Sequence, residues 1–159
     1  MNAYDITGLS AAEPKVGAVS DIEGILRGEI SATEAYRQVI EELATNPEVR
    51  RLEKFLHDHQ DAVEYWTTQL QDEGFEPEEG SGMWGKAVEA FVATAKILGN
   101  TAAISALREG EVYGLKRYQE LLNSMSLTPA QKSYIRTELL PIQEAHVQRL
   151  EGFTISSSH

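Results

Sequence analysis

The sequence predicts an all-α protein, a bundle of four long helices with one long crossover that contains an extra short helix. Apolar side chains recur every three or four residues along most of the chain, as in amphipathic helices. No stretch alternates apolar and polar residues in the manner of a half-buried strand. Helix-start signals stand at three breaks, Ser20, Asn46-Pro47 and Thr128-Pro129. The 159 residues fit a single domain with an ordinary core.

These breaks define the expected elements. Residues 1–19 have no sustained period and are expected to form a mobile arm, residues 20–152 the bundle, and residues 153–159 a polar tail. A capping box of Ser20 and Glu23 is expected to start the first helix, and Asn100 to cap the third. Pro141 is expected to kink the last helix. The expected helices are 20–44, 47–74, a short one at 83–98, 101–123 and 129–152.

The linkers predict the order of the helices in space. The links between helices one and two and between helices three and four are short, so each pair forms an antiparallel hairpin. About 25 residues separate the hairpins, which is enough to travel the length of the bundle. Helix three is therefore expected to run parallel to helix two.

An internal repeat places a glutamate on the inner face of helices one and three. The motif Gly-Glu-aliphatic occurs at 28–30 and at 110–112, and a tyrosine follows each glutamate by seven residues. Seven residues make two helical turns, so Glu29 shares a face with Tyr36, and Glu111 with Tyr118. A carboxylate in an apolar seam is costly unless it is paired, hydrogen-bonded or bound to a cation.

The second helix of each hairpin supplies histidines at comparable levels. Folding each hairpin about its loop brings Glu29 near residues 59–62 and Glu111 near Pro141, about one turn from His146. Glutamate and histidine together suit iron, manganese or zinc. The alternative is that these side chains are satisfied core residues and no metal binds. His57 points to another face and is expected to contact solvent. The expected ligands are Glu29, His59, Glu111 and His146, surrounded by Tyr36, Tyr118 and Gln143.

The glutamate-to-tyrosine spacing and the histidines resemble the di-iron ferritin and bacterioferritin superfamily. The chain also resembles small bacterial ferritin-like proteins of unknown function over residues 20–152. This closer resemblance implies a ferritin-like bundle and leaves the activity open. It is carried by the stretches LRGEISATEAYRQVIEEL, DHQDAVEYW, WGKAVEAFVATAKILGN, LREGEVYGLKRYQELL and RTELLPIQEAHVQRL.

The chain departs from the di-iron pattern at the bridging carboxylates. Di-iron bundles take a glutamate from each of two helices and a Glu-x-x-His motif from each of the others. Leu56 and Gln143 stand three residues before His59 and His146, where the motif has glutamates. Two adjacent dications would lack the anions that offset their repulsion. We therefore expect one metal ion, or an empty Glu–His–Tyr network, instead of a ferroxidase centre.

Composition excludes several classes of function. The formal net charge is −11, which disfavours nucleic-acid binding. The absence of cysteine excludes disulfides, thiolate metal sites and cysteine nucleophiles. No apolar run is long enough for a membrane span and no signal pattern begins the chain, so a cytoplasmic location is expected. The sequence also contains no nucleophile elbow, Walker loop or dinucleotide fingerprint.

Three functions stay open at this stage. The first is a ferritin-like bundle, structural or stress-related, that binds one metal ion weakly or not at all. The second is a non-haem metal oxidoreductase of the ferroxidase or peroxidase type, against which the missing bridges argue. The third is an acidic interaction module without metal, whose protein partner the sequence does not identify. A homodimer is compatible with the hairpin repeat.

Overall fold

Helices make up most of the chain in the computed structural model, which describes residues 7–77 and 99–153, with side chains from residue 16. The fourth long helix (129–151) contains a widened, π-helical turn between two α-helical segments. No strand occurs in the described ranges, so the all-α prediction is confirmed. None of the described helices is long and apolar enough to cross a membrane. The elements are α1 Thr7–Glu42, α2 Arg50–Asp72, α3 Asn100–Leu121, α4 Pro129–Tyr134, the π-turn Ile135–Leu139 and α5 Leu140–Glu151.

The first helix begins earlier than the sequence predicts. α1 starts at Thr7, so Ser20 lies inside it and the predicted capping box is wrong. The reason is that Ala18 and Val19, just before Ser20, are buried core residues, and a continuous helix carries them into the bundle. Residues 7–19 of the predicted arm are therefore helical, and the rest of it lies outside the described residues.

Of the other three predicted caps, two are confirmed and one is wrong. The Asn46 side chain accepts a hydrogen bond from the Glu48 N–H and starts a short 3₁₀ turn, Pro47–Val49, ahead of α2. Thr128 and Gln131 form the reciprocal bonds of a capping box, at 2.9 and 3.1 Å. Asn100 is not the cap of α3, because it is the first helical residue and follows Gly99. Gly99 has a φ of 87°, in the region that favours glycine.

A widened turn precedes Pro141, the residue at which the sequence predicts a kink. The N–H of Leu140 donates to the carbonyl of Ile135, five residues back, and this bond closes the π-turn. Pro141 is the second residue after this turn and lacks the N–H that a residue inside a regular helix donates. The turn lets buried residues recur every fourth position on one face, at Gln131, Ile135, Leu139 and Gln143.

Contacts between side chains give the directions of the helices. Tyr36 and Glu29 on α1 bond Glu111 and Tyr118 on α3, in crossed order, so these two helices are antiparallel. His59 and Trp66 on α2 bond the same two α3 residues in direct order, so α2 and α3 run parallel, as predicted. The end of α2 and the start of α3 therefore lie at opposite ends of the bundle. The short helix predicted at 83–98 lies outside the described residues.

The described core consists of two apolar clusters with a polar layer between them. The first cluster surrounds Trp66 and Tyr118, and the second surrounds Tyr36 and Phe55. The first cluster contains Val19, Ile22, Ile25, Leu26, Ala62, Trp66, Leu70, Tyr118, Leu121, Leu127, Ile135 and Leu139. The second contains Tyr36, Val39, Leu43, Val49, Leu52, Phe55, Ala103, Ile104, Leu107 and Leu150.

Candidate metal centre

A layer of buried polar side chains from all four long helices lies between the apolar clusters. Each of its members is exposed by 6% or less. All four ligands predicted from the sequence are among them and are brought together. The polar layer consists of Glu29 on α1, His59 on α2, Glu111 on α3, and Gln143 and His146 on α5.

The seven-residue spacing of glutamate and tyrosine extends in α1 to two further buried positions, one on each side, and it ends early in α3. Ile22, Glu29, Tyr36 and Leu43 are all buried, as the spacing predicts. In α3 the line fails at Met125, which is 98% exposed because the helix ends at Leu121.

The imidazole of His59 joins the two glutamates of the repeat. Its Nδ1 lies 2.6 Å from Glu29 Oε2 and its Nε2 lies 3.0 Å from Glu111 Oε1. Burial lowers the pKa of His59, but the charge of Glu29 and hydrogen bonds to both carboxylates outweigh it and raise the pKa to about 10. Without metal, His59 is therefore an imidazolium that donates to both glutamates.

His146 approaches Glu111 from the other side. Its Nδ1 lies 3.2 Å from Glu111 Oε1, and its Nε2 lies 2.9 Å from Asp58 Oδ2. The ring of Phe55 stacks on it with centroids 4.2 Å apart. Both histidines thus have a carboxylate oxygen at each ring nitrogen, and they share Glu111 Oε1.

Glu111 is the centre of the polar layer. Its Oε1 faces both imidazoles and accepts from the Tyr36 hydroxyl, and its Oε2 accepts from the amide of Gln143. Burial raises the pKa of Glu111, but hydrogen bonds from His146 and His59 and their charges outweigh it and lower the pKa to about 2. Glu111 is consequently an anion throughout the neutral range.

The two tyrosines of the repeat exchange partners between α1 and α3. The hydroxyl of Tyr36 donates to Glu111, and that of Tyr118 donates to Glu29. The indole Nε1 of Trp66 donates to the Tyr118 hydroxyl at 3.2 Å. Burial, together with these carboxylates, raises the pKa of both tyrosines well above 10, so both are neutral phenols. Both hydroxyls thus bond the carboxylates of the polar layer.

Gln143 fixes Glu111 through two bonds and needs a glycine opposite it. Its Nε2 donates to the backbone carbonyl of Glu111 at 3.1 Å as well as to Oε2. A Cβ atom on Gly114 would lie 2.7 Å from this Nε2. Gly114 therefore makes room for the amide that orients Glu111.

Three of the four predicted ligands form a group that can hold a metal ion. One ligand atom from each of His59, Glu111 and His146 lies within 4.8 Å of the others. Two imidazole nitrogens and one carboxylate oxygen suit iron, manganese or zinc. Glu29 is not in this group, because it contacts the other nitrogen of His59. The donor set thus fits one ion. Glu29 would not contact the ion itself, since it lies behind His59, bonded to the ring nitrogen that faces away from Glu111.

Asp58 is the site residue that the sequence analysis missed. It lies behind His146 in the same way that Glu29 lies behind His59, and it also pairs with Lys54. It follows the buried Phe55 by three residues, which places it at the edge of the inner face of α2. That spacing was the available signal. His57, expected to contact solvent, is exposed.

Each hairpin places a histidine against its own inward glutamate. His59 bonds Glu29, and both His146 and Gln143 bond Glu111. Leu56, which stands where the di-iron motif has a glutamate, packs against the second apolar cluster.

Comparison with known proteins gives one match. A family model described as "Domain of unknown function (DUF2383)" matches residues 17–124. This span includes Glu29, His59, Glu111 and both tyrosines of the repeat, and it ends before Gln143 and His146. Neither the curated proteins nor the solved structures include a match.

Proposed function

The chain belongs to the DUF2383 family, and from that premise we propose that it is a ferritin-like bundle that binds one divalent transition-metal ion. The observation that carries the proposal is the group formed by His59 Nε2, His146 Nδ1 and Glu111 Oε1. These atoms come from three different helices and converge in a buried layer. The role we propose is that of a metal-binding structural or stress-related module.

Carboxylates behind the two histidines support this assignment. A histidine that binds a metal usually gives its other ring N–H to a carboxylate or carbonyl, which fixes its tautomer and orientation. Glu29 takes this position for His59 at 2.6 Å, and Asp58 takes it for His146 at 2.9 Å. Both rings are thus held with one nitrogen directed at Glu111.

The charges in and beside the polar layer also suit a divalent ion. Glu29, Glu111 and Asp58 supply three negative charges, and Lys54 beside Asp58 supplies one positive charge. A divalent cation held by neutral imidazoles would bring the sum of these charges to zero. Neutrality matters because uncompensated charge is costly in a buried layer.

The second candidate is a metal-free network with a structural role. The described buried polar atoms that lack a partner do not include any from the polar layer. With His59 as an imidazolium, the layer is complete as a set of ion pairs and hydrogen bonds. It would then act as a polar layer that fixes how the hairpins pair.

Cobalt binding in solution separates the two candidates. Protein without a histidine tag is stripped with chelator, titrated with Co²⁺ and examined by elemental analysis. We expect one ion per chain, lost in Glu111→Gln and in His146→Ala. His57→Ala is the matched control, because His57 is an exposed histidine outside the polar layer, and this variant should bind like the wild type. Glu29→Gln should weaken binding about 10- to 100-fold, as is usual for groups behind a ligand.

The possible results of this titration each have a clear meaning. A folded wild type that binds no Co²⁺, Zn²⁺, Mn²⁺ or Fe²⁺ would leave the metal-free network as the function of the layer. Stoichiometric binding that survives both Glu111→Gln and His146→Ala would show that the ligands lie elsewhere.

Iron titration under air tests for oxidoreductase activity. Three protein ligands leave coordination positions open, as in non-haem iron enzymes with two histidines and one carboxylate. A binding module should oxidise Fe²⁺ no faster than His146→Ala does. Oxidation that is faster in the wild type and depends on His146 would favour an oxidoreductase instead.

A further inference from the structure

We propose that divalent cations enter the centre past Asp58, and that the ammonium group of Lys54 holds this entry shut. The inference rests on the metal centre proposed above and adds a route and a gate to it. Its basis is the order in which the side chains follow one another from the surface: Lys54, Asp58, His146 and then Glu111.

Asp58 is where this chain of contacts reaches solvent. Its side chain is 14% exposed, whereas those of His146 and Glu111 are each 2% exposed. Glu29 and His59, on the other side of Glu111, are 8% and 5% exposed. Among the described carboxylates and imidazoles of the centre, Asp58 is thus the most accessible to a cation in solution.

Lys54 occupies the position that an incoming cation would take. Its Nζ lies 3.0 Å from Asp58 Oδ1 and 2.9 Å from Oδ2, so it holds both oxygens. The Lys54 side chain is 63% exposed, and an exposed pair of this kind opens readily. When it opens, the free carboxylate of Asp58 is still in contact with the buried ring of His146 at 2.9 Å.

A nearby cleft is less suited to cation entry. It has a volume of about 670 Å³ and is lined by Lys54 and Phe55, among other residues. Phe55 is 2% exposed and stacks on His146, so its ring closes the cleft towards the centre. The cleft also carries Arg51, Lys54 and Arg149 against a single carboxylate, Glu48, and this balance of charge repels cations.

Metal-exchange kinetics test the gate. Stopped-flow absorption follows Co²⁺ binding to the metal-free protein and Co²⁺ release to excess chelator. If entry requires the pair to open, Lys54→Met should speed both association and release by about two- to fivefold. This range corresponds to an exposed pair worth roughly 0.4 to 1 kcal/mol, at about 1.4 kcal/mol per tenfold. Lys54→Arg should restore rates close to those of the wild type.

Arg51→Met is the matched control. Arg51 lies one turn before Lys54 on the same helix and pairs with Glu48 at 3.0 Å instead of with Asp58. The substitution removes the same charge without releasing Asp58, so both rates should stay near those of the wild type.

Three results would overturn the gate alone. Unchanged rates in Lys54→Met would place the entry elsewhere. Faster association with slower release would show a general effect of charge on affinity instead of a gate. Equal acceleration in Arg51→Met would lead to the same conclusion. A wild type that binds no Co²⁺ would overturn the metal centre and the gate together, which distinguishes that failure from the others.

Discussion

At the scale of single residues, the polar layer depends on how the buried charge of Glu111 is compensated. A buried carboxylate without partners would lose its hydration at great cost. Here one oxygen faces two imidazoles and a phenol, and the other faces the Gln143 amide. These donors keep Glu111 ionised. They also hold the imidazoles where a metal ion can replace their protons.

The pH dependence of stability in metal-free protein tests the charge on His59. Its pKa rises from an ordinary value of 6.5 to about 10 on folding. The stability this group contributes is therefore fully present below pH 6.5 and is lost as the pH rises towards about 10. The free energy of unfolding should exceed that of His59→Gln most below pH 6.5, and the difference should shrink towards pH 10. Urea denaturation of both proteins across this range measures it.

The comparison with His59→Gln removes the titration of groups that do not interact with His59, which both proteins share. A difference that stays constant from pH 6.5 to about 10 would show that His59 is not an imidazolium in the folded protein.

The sequence could identify buried polar residues better than it could assign their roles. Heptad spacing was sufficient to place Glu29 and Glu111 inside, because helix periodicity fixes the direction of a side chain. It could not show that Glu29 lies behind His59 instead of beside a metal ion. That distinction depends on which ring nitrogen faces which carboxylate, and so on rotamers and on how neighbouring helices are displaced along their axes. Asp58 was missed for the same reason.

At the scale of elements, the π-turn decides which residues of the fourth helix face the core. Buried positions recur every four residues from Gln131 to Gln143, and in a regular α-helix each such step overshoots a full turn by about 40°. Three steps would turn Gln143 about 120° away from the core. The wider turn at Ile135–Leu139 takes up this excess, so that Gln143 and His146 point inward.

Deletion of Thr137 tests this explanation. Removing one residue should convert the π-turn to a regular α-helix while leaving Gln143 and His146 on the inner face. Co²⁺ binding should then be retained. In a regular α-helix the ring of Pro141 would clash with the carbonyl four residues back, so stability should fall by about 3 kcal/mol. Adding Pro141→Ala should restore it. Denaturation curves and Co²⁺ titration measure the two effects.

Deletion of Glu144 is the matched control, since this exposed residue separates Gln143 from His146. Its loss should rotate His146 about 100° relative to Gln143 and abolish binding. Loss of binding in the Thr137 deletion as well would contradict the compensating role of the π-turn.

Helix ends were predictable where a side chain forms the cap. Asn46 and Thr128 bond the first turn directly, and their sequence signals were correct. Ser20 carried a similar signal but lies inside α1, because burial of Val19 and Ala18 favours a continued helix. Tertiary packing overrides a local cap in this case. The π-turn has no comparable local signature, because two of the four buried positions that reveal it are the polar residues Gln131 and Gln143.

At the scale of the whole molecule, the polar layer joins two hairpins that pack on each other through apolar clusters above and below it. The direction of α3 relative to α2 was predictable from linker length alone. Linker length could not give the offset of one hairpin relative to the other along the bundle axis. That offset places Glu111 between His59 and His146, and it follows from side-chain packing over both clusters.

Metal binding should therefore stabilise the whole bundle, because the ligands come from both hairpins. At a free ion concentration of 100 times the dissociation constant, the gain is about 2.7 kcal/mol. In a chain of this size, this gain corresponds to a rise in Tm of about 5 to 11 °C. Calorimetry should show this rise with Co²⁺ in the wild type and in His57→Ala, and no rise in His146→Ala. An equal rise in all three would indicate unspecific binding.

The most direct test of the central claim is anomalous diffraction at the cobalt edge from crystals of the Co²⁺-loaded protein. We expect one anomalous peak per chain in the polar layer, bounded by His59 Nε2, His146 Nδ1 and Glu111 Oε1, with Glu29 and Asp58 on the outer nitrogens of the two rings. A peak among other residues, or two peaks bridged by Glu29 and Glu111, would contradict it.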